Sequence, residues 1–439
     1  MKILVVVDLV HSSPRIPELL VGLCQSGDHD LVVLCPDHTP EQLREIDLPQ
    51  CFLSSIELVK TKTHRDSFEW IRRLLAYFRY SPSNSYSEQL KASLGNKSHL
   101  SRLIDLGLRW YQACFAIPDT ERSWISLAKT TYREKLSTRE FDCMLSSSPY
   151  PSVHFVARWI KRQSSILWIA DFRDPWTLSH NYQLPPWRRL IDAYLEKKVI
   201  ANSDVIVTVS DGVAKKLHDL HRRPVEVVPN GYRERLSRVN YDKRDKLIIS
   251  YTGSIYHGKQ NPWPFLQAVS NLKKSKQIFA DDIEVNFYGR FVSELQKFIE
   301  DLAITDIVAQ KGYVSRSEAV QIQERSDVLL MFNWEEAGQS GIFPLKFYEY
   351  LGSRRTILAT GKDHSGEITK ILAQTAAGMV ICEEKGIETF VLEKVREIQR
   401  SGRVEYLGVE EAIGAYSYLS SARDLQQIIT RLVPESESR

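Results

Sequence analysis

The sequence has little of what marks membrane-spanning, disulfide-stabilised or strongly charged proteins. None of its apolar runs approaches the ~20 residues that a membrane-spanning helix needs. Its six cysteines are scattered without a CxxC pair, which argues against a disulfide framework and favours reduced thiols in a cytosolic protein. The net charge of +3 balances 58 basic against 55 acidic residues, so the composition gives no case for a nucleic-acid partner.

Two common nucleotide-binding motifs are also missing. No GxGxxG follows the first apolar run, which argues against an ordinary Rossmann dehydrogenase. The stretch from Gly253 to Lys259 resembles GxxxxGK, but it lacks the helix continuity of a P-loop, so ATPase chemistry is disfavoured. The N-terminal MKILVVVDLVHSSP has about seven apolar residues before Asp8, and it predicts a first buried strand rather than a signal peptide.

Short apolar, β-branched runs alternate with helical patterns along most of the chain. Such runs, apolar on both faces and separated by helices, indicate parallel sheets that are covered on both sides. The predicted strands form two series, 2–8, 30–36, 143–148, 165–171, 204–210 and 225–230, and then 247–254, 282–289, 307–314, 327–334, 356–361 and 378–383.

The highly charged stretch 232–246 separates the two series and predicts an exposed linker. The fold class is therefore α/β, with two doubly wound parallel-sheet domains. The predicted boundaries are 1–232 for the first domain, 246–412 for the second, and 413–439 for a C-terminal helix and tail that crosses back to the first domain.

The segment from about 53 to 140 breaks the alternation and predicts a helical insertion. Within it, residues 65–111 combine an apolar helical stripe with an excess of Lys and Arg, a pattern typical of helices that lie on anionic membranes. The alternative, a helix packed on its own domain with a solvated basic side, is the more common origin of such a pattern. The predicted location is cytoplasmic, with or without peripheral contact to the inner face of the membrane.

The stretch SGIFPLKFYEYLGS, residues 340–353, places a charged pair at the start of a predicted helix. Pro344 suits the first helical position, and the backbone N–H groups of Ile342 and Phe343 can bind phosphate there. Lys346 stands at the wrong end of a helix for a cation unless an anion binds, and Glu349 can accept hydrogen bonds from ribose hydroxyls. The alternative is a simple Lys346–Glu349 ion pair, worth ~0.2–0.5 kcal/mol.

Three further loops follow predicted strands, where ligands bind in open α/β sheets. YTGSIYHGKQ ends a strand at Gly253 and brings Lys259 into the loop. ADFRDPW places three charges at a strand mouth, for a ligand or for a structural ion-pair cluster. SSSPYPSVHF puts His154 at the start of a helix, where a lone histidine is more often structural.

These stretches, together with HSSPRIPELLVGL, IPDTERSW, VSDG, VPNGY, FYGR and GYVSRSEA, resemble the GT4 family of retaining glycosyltransferases. The resemblance is closest to the branch that assembles cell-surface polysaccharides and glycoconjugates. It implies the GT-B fold, with two Rossmann-like domains that face a cleft. It also implies a nucleotide-sugar donor held by the second domain and a glycan or lipid-linked acceptor on the first, with no metal or other cofactor.

The resemblance also assigns roles to particular residues. It implies that Lys346 binds phosphate, that Glu349 binds ribose and that His154 positions the transferred sugar, and these three form the expected catalytic set. The expected donor-binding residues are Gly253, Ser254, Lys259, Arg290, Gly341, Ile342, Phe343, Lys346 and Glu349. The expected acceptor-side residues are Ser13, Arg15, Asp171, Arg173 and Asp174.

The function expected from these motifs is transfer of a sugar, from a UDP-sugar rather than a GDP-sugar, with retention of anomeric configuration. Two alternatives stay open: a GT-B nucleotide-sugar epimerase or phosphorylase, and a non-catalytic nucleotide-sugar-binding partner subunit.

Overall fold

The computed structural model describes most of the chain. It leaves undescribed residues 13, 28, 40–41, 44–54, 63–109, 111–112, 180–181, 183, 235–242, 257, 335–342, 365 and 434–439. The predicted membrane-contact segment 65–111 therefore lies almost wholly outside the described residues, as do three predicted site residues, Ser13, Gly341 and Ile342.

The chain divides into two compact units. The first comprises Met1–Val209, Ala214–Val227 and Leu425–Arg439, and the second comprises Ser210–Val213 and Val228–Asp424. The division near residue 228 lies beside the predicted boundary at 232, but Tyr232 itself packs in the second unit, where its N–H donates to the carbonyl of Tyr416 over 3.1 Å.

The described part of the first unit contains one parallel sheet of seven strands. Their order across the sheet is β3-β2-β1-β4-β5-β6-β7. The strands are β1 (Lys2–Val7), β2 (Asp30–Cys35), β3 (Ile56–Lys60), β4 (Cys143–Ser147), β5 (Leu167–Phe172), β6 (Val205–Thr208) and β7 (Val225–Val227). Central β1 is fully buried from Ile3 to Val7, as expected for a strand that packs helices on both faces.

The described part of the second unit contains one parallel sheet of six strands. Their order across the sheet is β10-β9-β8-β11-β12-β13. The strands are β8 (Leu247–Thr252), β9 (Ile283–Tyr288), β10 (Val308–Gly312), β11 (Val328–Phe332), β12 (Thr356–Thr360) and β13 (Gly378–Ile381). Each of the twelve strand runs predicted from the sequence overlaps one of the observed strands, and only β5 extends past its predicted run, by one residue. The prediction of two parallel sheets is confirmed.

Helices connect the strands in both units. In chain order they are α1 (Arg15–Ser26), α2 (Trp124–Lys135), α3 (Ser152–Lys161), α4 (Pro186–Ile200), α5 (Asp211–His221), α6 (Trp263–Lys274), α7 (Ser293–Asp301), α8 (Arg316–Arg325), α9 (Leu345–Gly352), α10 (Glu367–Thr375), α11 (Glu384–Ser401), α12 (Glu410–Gly414) and α13 (Tyr418–Leu432). Residues of α13 from Leu425 onward belong to the first unit.

Strand β3 lies near the start of the segment from about 53 to 140, for which the sequence predicted a helical insertion. Among the described strands it pairs only with β2, at the edge of the sheet. An edge strand is covered less completely than a central one, and the sequence IELVK accordingly carries Glu57 and Lys60 among its apolar residues. It lacks the continuous apolar run that revealed the central strands.

Both sheets contain a point at which the strand order reverses. In the first unit it lies between β1 and β4, and in the second it lies between β8 and β11. In open parallel sheets, ligands bind beyond the carboxyl ends of the strands at this switch point. The loops that follow these four strands are therefore the places to search for a site.

Candidate functional site

The loop after β8 is formed by a glycine in a conformation that other residues rarely adopt. Gly253 has φ +113°, and its N–H donates to the carbonyl of Tyr288 over 2.8 Å. Gly289, which follows β9, has φ +154°, and a Cβ added to it would lie 2.2 Å from the carbonyl oxygen of Gly253. Two glycines thus let the loops after β8 and β9 approach closely at the sheet edge.

Lys346 on α9 reaches this loop. Its Nζ lies 3.7 Å from the centre of the Tyr251 ring and 3.5 Å from the position that a Cβ on Gly253 would occupy. Burial lowers the pKa of Lys346 to about 7, against the opposing effect of the Glu349 charge. The structure therefore brings together Gly253 and Lys346, two residues that the sequence placed about ninety positions apart, at the switch point of the second sheet.

Buried hydrogen bonds fix α9 against the end of β8. The hydroxyl of Tyr350 accepts from the N–H of Thr252 over 2.9 Å. The side-chain amide of Gln323 donates to Oγ1 of Thr252 over 3.0 Å, and Ser353 Oγ donates to Oε1 of Gln323 over 3.2 Å. Lys346 and Tyr350 are one helical turn apart, so anchoring Tyr350 also sets the position of Lys346.

The start of α9 differs in one detail from the prediction. Pro344 is the N-cap residue, with φ −65° and ψ 140°, and Leu345 is the first helical residue. Phe343 lies before the cap, with its ring 6.0 Å from the ring of Phe347. Because proline offers no capping side chain, the first N–H groups of α9 have no side-chain cap, which leaves them suited to an anion.

Glu349 does not pair with Lys346, although the structure describes both residues. Its Oε1 instead accepts from Nη2 of Arg316, the first residue of α8, over 3.2 Å. The simple ion pair within the helix, the alternative interpretation of this motif, is therefore not what the structure shows. Arg316 is a neighbour of the site that the sequence analysis did not identify.

The other predicted donor-side residues surround the same loop less closely. Lys259 is partly buried, with its Nζ 5.7 Å from the centre of the Trp334 ring, which follows β11. The carbonyl of Ser254 accepts from the hydroxyl of Tyr251 over 2.9 Å, which holds the loop to the end of β8. Arg290 is exposed after Gly289.

In the first unit, the predicted residues Arg15 and Asp171 bind each other. Arg15 Nη2 donates to Oδ1 of Asp171 over 2.8 Å, and both side chains are buried. Ser147 Oγ donates to Oδ2 of the same carboxylate over 2.6 Å. The structural alternative for ADFRDPW was an ion-pair cluster of Asp171, Arg173 and Asp174, but Asp171 pairs with Arg15 from another segment. Arg173 and the exposed Asp174 form a separate pair, with 3.7 Å between Nε of Arg173 and the carboxylate, and Asp174 lines a pocket.

His154 is buried on α3, and its hydrogen bonds determine which ring nitrogen carries the proton. The indole N–H of Trp168 donates to Oγ of Ser146 over 2.8 Å, and this Oγ lies 2.8 Å from Nδ1 of His154. Because tryptophan can only donate, the Ser146 hydroxyl satisfies its own hydrogen by donating to Nδ1. The proton of neutral His154 is then on Nε2, and burial lowers the pKa of His154 to about 3.

A pocket of about 400 Å³ adjoins His154 at the carboxyl ends of β4 and β5. Two buried polar atoms in its lining, Nε2 of His154 and Oγ of Ser148, have no hydrogen-bond partner among the described residues. The other lining residues are Ala116, Pro118, Asp119, Thr120, Pro149, Pro151, Phe172, Asp174, Pro175, Trp176, Ser179, Tyr182, Leu184 and Asp192. Aromatic faces and hydroxyl-binding groups of this kind suit a polar organic ligand such as a sugar.

Asp119 is a pocket residue that the sequence analysis placed within a motif but gave no role. Its carboxylate accepts from the N–H of Ser152 over 2.6 Å and from its hydroxyl over 2.7 Å, so it caps α3 from a distant segment. Burial raises the pKa of Asp119 to about 6, although these hydrogen bonds oppose the shift. The cap holds the start of the helix that carries His154.

A second cluster that the sequence analysis missed follows β1 and β2. The carboxylate of Asp8 lies 2.9 Å from Nδ1 of His11 and 3.2 Å from Nε2 of His38. Burial alone would raise the pKa of Asp8, but the hydrogen bonds with the two histidines outweigh it and hold the pKa well below its usual value. The His11 ring in turn packs edge-on against Tyr150, in the loop after β4, at 5.1 Å.

The described residues lack a metal cluster and a membrane-spanning helix. No three His, Cys, Asp or Glu side chains there are grouped so that they could hold a metal ion. No helix in this part of the chain is long and apolar enough to cross a membrane.

Comparison with known proteins places these features in context. A family model described as a glycosyl transferase 4-like domain matches residues 12–231, which is half of the chain. No curated protein matches the sequence.

Solved structures resemble the whole chain at low sequence identity. A glycosyltransferase from Rickettsia africae ESF-5 is 12% identical over 99% of each chain, with a TM-score of 0.59. HepE of Anabaena in complex with UDP and glucose is 11% identical over 98% of this chain and 100% of its own, with a TM-score of 0.56. The lipopolysaccharide outer core galactosyltransferase WaaB is 11% identical over the same shares, with a TM-score of 0.55. At such identities the likeness shows the fold alone, and it confirms the predicted GT-B fold.

Proposed function

The chain belongs to the glycosyl transferase 4-like family, and from this premise we propose that it transfers a sugar from a nucleotide-diphosphate sugar to an acceptor with retention of anomeric configuration. UDP is favoured as the nucleotide because HepE, which shares the fold, has been crystallised with UDP and glucose. The acceptor is a glycan, a lipid-linked sugar or a small molecule, and the process is the biosynthesis of surface polysaccharides or glycoconjugates.

The observation that carries this proposal is the position of Lys346. A half-buried lysine whose pKa is lowered to about 7 is costly to keep charged unless an anion compensates it. It stands at the switch point of the second sheet, beside Gly253 and close to the uncapped start of α9. A diphosphate bound there would receive one full positive charge and N–H groups of the helix, and these groups stabilise the charge that develops as the diphosphate departs.

Two further donor-side residues, Glu349 and Lys259, have proposed roles in binding the donor. Glu349 is proposed to accept hydrogen bonds from the ribose hydroxyls, in exchange for its present contact with Arg316. Lys259, in the loop after β8, would add a second positive charge with a weaker effect on the diphosphate. The donor reaction needs no metal in this scheme, because the cations and N–H groups supply the charge stabilisation.

The pocket of the first unit is proposed to hold hydroxyl-bearing ligand groups. His154 presents a neutral N–H donor and Ser148 a hydroxyl, both buried and both lacking a partner among the described residues. A buried polar group without a partner costs free energy, about 1–3 kcal/mol, and a ligand hydroxyl in the pocket would remove that cost. In this proposal, His154 positions the transferred sugar, and it does so without gaining or losing a proton.

The test begins with thermal unfolding of the full chain in the presence of UDP, GDP and their sugars. A nucleotide that binds only the folded state at a hundredfold excess over its Kd should raise Tm by about 5 to 10 °C. We expect a larger shift with UDP than with GDP. No shift with any nucleotide would reject the assignment of the Lys346 site.

Turnover then distinguishes the proposal from its alternatives. Release of UDP that depends on an added acceptor supports glycosyl transfer, and NMR of the product shows whether the anomeric configuration is retained. An epimer that appears without acceptor would indicate an epimerase instead. Tight binding without turnover against a broad pool of glycan and lipid-linked acceptors would indicate a non-catalytic partner subunit.

A further inference from the structure

Helix α4 in the first unit is oriented with its charged side inward. Arg188, Asp192 and Glu196, spaced four residues apart, are 0%, 1% and 0% exposed. The opposite side carries four large apolar side chains at helical spacing, and these are exposed to between 37% and 75%. We call them the outward stripe: Trp187, Leu190, Ile191 and Tyr194. An ordinary surface helix has the reverse arrangement.

The inward side is fixed by a buried network of hydrogen bonds. Arg188 donates to Oδ1 of Asp192 and to the carbonyls of Ala113 and Ala116, each over 2.8 Å. The hydroxyl of Tyr182 donates to Oδ2 of Asp192 over 2.8 Å. Breaking such a network would leave buried charges unpaired, so α4 cannot simply rotate to bury its apolar side.

The same arrangement continues one turn later along the helix. Glu196 accepts from the N–H of Thr177 over 3.0 Å and lies 3.2 Å from Nε2 of His221. Asp192 and Glu196, the two acidic residues of α4, therefore both have partners inside the unit, and neither adds negative charge to the outer surface.

Neighbouring segments extend the apolar surface beyond the helix. The ring of Trp110 stacks on that of Trp187 with 6.5 Å between centroids. Elsewhere in the same unit, Phe115 and Leu178 are exposed to 55% and 40%. Large apolar side chains exposed together at helical spacing, as in the outward stripe, are uncommon unless something binds there.

The charges that α4 does expose are all positive. They are Arg189, near the start of the helix, and Lys197 and Lys198, near its end, with Lys198 Nζ 5.6 Å from the centre of the Tyr194 ring. A helix with Trp, Leu and Tyr on one side and flanking Lys and Arg matches the surface of an anionic bilayer, where aromatic rings favour the headgroup region and cations favour the lipid charge. Protein interfaces, in contrast, are depleted of lysine.

We propose that the outward stripe of α4 docks this protein on the surface of an anionic lipid bilayer, with the helix parallel to the membrane plane and Lys197 and Lys198 over the headgroups. Arg189 is not part of this contact, because its Nε donates to the carbonyl of Thr177 over 3.0 Å. The outward stripe lies outside the segment 65–111 for which the sequence predicted membrane contact, although Trp110, near the end of that segment, stacks on Trp187. The proposal stands independently of the proposed glycosyl transfer, because it rests on exposed side chains and not on the donor site.

The test is flotation of the full chain with two kinds of vesicle, one of phosphatidylglycerol and phosphatidylcholine in equal parts and one of phosphatidylcholine alone. We expect binding to the anionic vesicles that weakens with added salt, and little binding to the neutral ones. The double variant Leu190→Gln/Tyr194→Gln should reduce the anionic-vesicle binding by about tenfold or more, because it removes apolar contact area. Lys197→Glu/Lys198→Glu should reduce it to a similar extent, about tenfold.

The matched control replaces two exposed apolar residues of the second unit, Phe279→Gln/Leu407→Gln, and should bind vesicles as the wild type does. All these positions are at the surface, so Tm should stay close to that of the wild type and confirm that the variants fold. Failure of the wild type to float with anionic vesicles would overturn the proposal. Equal binding by the wild type and both α4 variants would overturn it too, as would a stable dimer that the α4 variants abolish in the absence of lipid.

Discussion

At the switch point of each sheet, burial lowers the pKa of a basic side chain, Lys346 in one unit and His154 in the other, but the resulting charge states differ. Lys346 in the second unit keeps a pKa of about 7, so it is charged or neutral according to its surroundings at ordinary pH. His154 in the first unit has a pKa of about 3 and is neutral throughout that range. The first is suited to an anion and the second to an uncharged hydroxyl group.

The supporting contacts explain this difference. Lys346 lies over the face of the Tyr251 ring, which stabilises a cation, and near the carboxylate of Glu349. His154 is stacked on Phe172 at 4.7 Å and receives a hydrogen bond from Ser146, which fixes one neutral tautomer. The second unit thus presents Lys346, which can carry a positive charge when an anion binds. The first unit presents His154, a neutral N–H donor. Three predictions test this contrast, in order of expected effect.

Removing the charge of Lys346 should have the largest effect. Lys346→Met keeps the length of the side chain but deletes the ammonium group, and we expect the Kd for a UDP-sugar to rise by about 10- to 100-fold, since hydrogen bonds to charged groups contribute about 1.5–3 kcal/mol. Isothermal titration calorimetry measures this change. Tm of the free variant should not fall, because the substitution also removes the cost of burying a charge.

The matched control for this variant is Lys297→Ala, on the exposed side of α7 in the same unit. It should bind the donor as the wild type does. If Lys346→Met and Lys297→Ala both bind the donor like the wild type, Lys346 does not face the diphosphate and the contrast between the two units collapses.

The Kd for a UDP-sugar should also change with pH. This change should be smaller than that caused by Lys346→Met, and its direction follows from the pKa of Lys346. Below pH 7 the ammonium of Lys346 is already formed, so the Kd for a UDP-sugar should be nearly constant. Above pH 7 the free protein must take up a proton to bind, so the Kd should rise by up to about tenfold per pH unit.

Lys346→Arg supplies the control for the pH prediction, because a guanidinium stays charged across this range. Titrations between about pH 6 and pH 8.5 should show a slope in log Kd for the wild type and none for the arginine variant. A slope of the same size in both proteins would mean that another group, not Lys346, titrates on binding.

The sequence predicted the sheets well because central parallel strands require continuous apolar runs, and each such run stood out. It also placed Lys346 and Glu349 at the start of a helix after β11. It could not show that Glu349 would accept a hydrogen bond from Arg316, because α8 and α9 come into contact only through tertiary packing. The sequence did not reveal the edge strand β3, because a strand that is only partly covered lacks the continuous apolar run of a central strand.

The first unit shows most clearly where sequence patterns fail. The apolar stripe of α4 has the spacing of a side that packs on a core, yet the structure turns it outward because Arg188, Asp192 and Glu196 find partners inside. The tautomer of His154 depends on Trp168 and Ser146, which lie on different strands. Such arrangements follow from contacts between distant segments, and no local periodicity encodes them.

Removing the hydrogen-bond donor of His154 should have the smallest effect of the three. His154→Leu deletes the N–H, and His154→Gln retains an N–H at a similar distance from the backbone. We expect kcat/KM to fall by about 3- to 10-fold in the leucine variant, as for the loss of one neutral hydrogen bond. The glutamine variant should recover most of this loss.

Two further measurements separate this positioning role from a merely structural one. Affinity for UDP, which lacks the sugar, should be the same in the wild type and both His154 variants, because only the sugar-bearing ligand uses the Nε2–H donor. The pH profile of kcat/KM should keep its shape, since a histidine with a pKa of about 3 does not titrate near neutral pH. Loss of UDP affinity in the leucine variant would mean that His154 has a structural role instead of positioning the sugar. An acid limb near pH 6 that only the wild type shows would mean that His154 acts as an ionising group, and the division between a charged second unit and a neutral first unit would have to be abandoned.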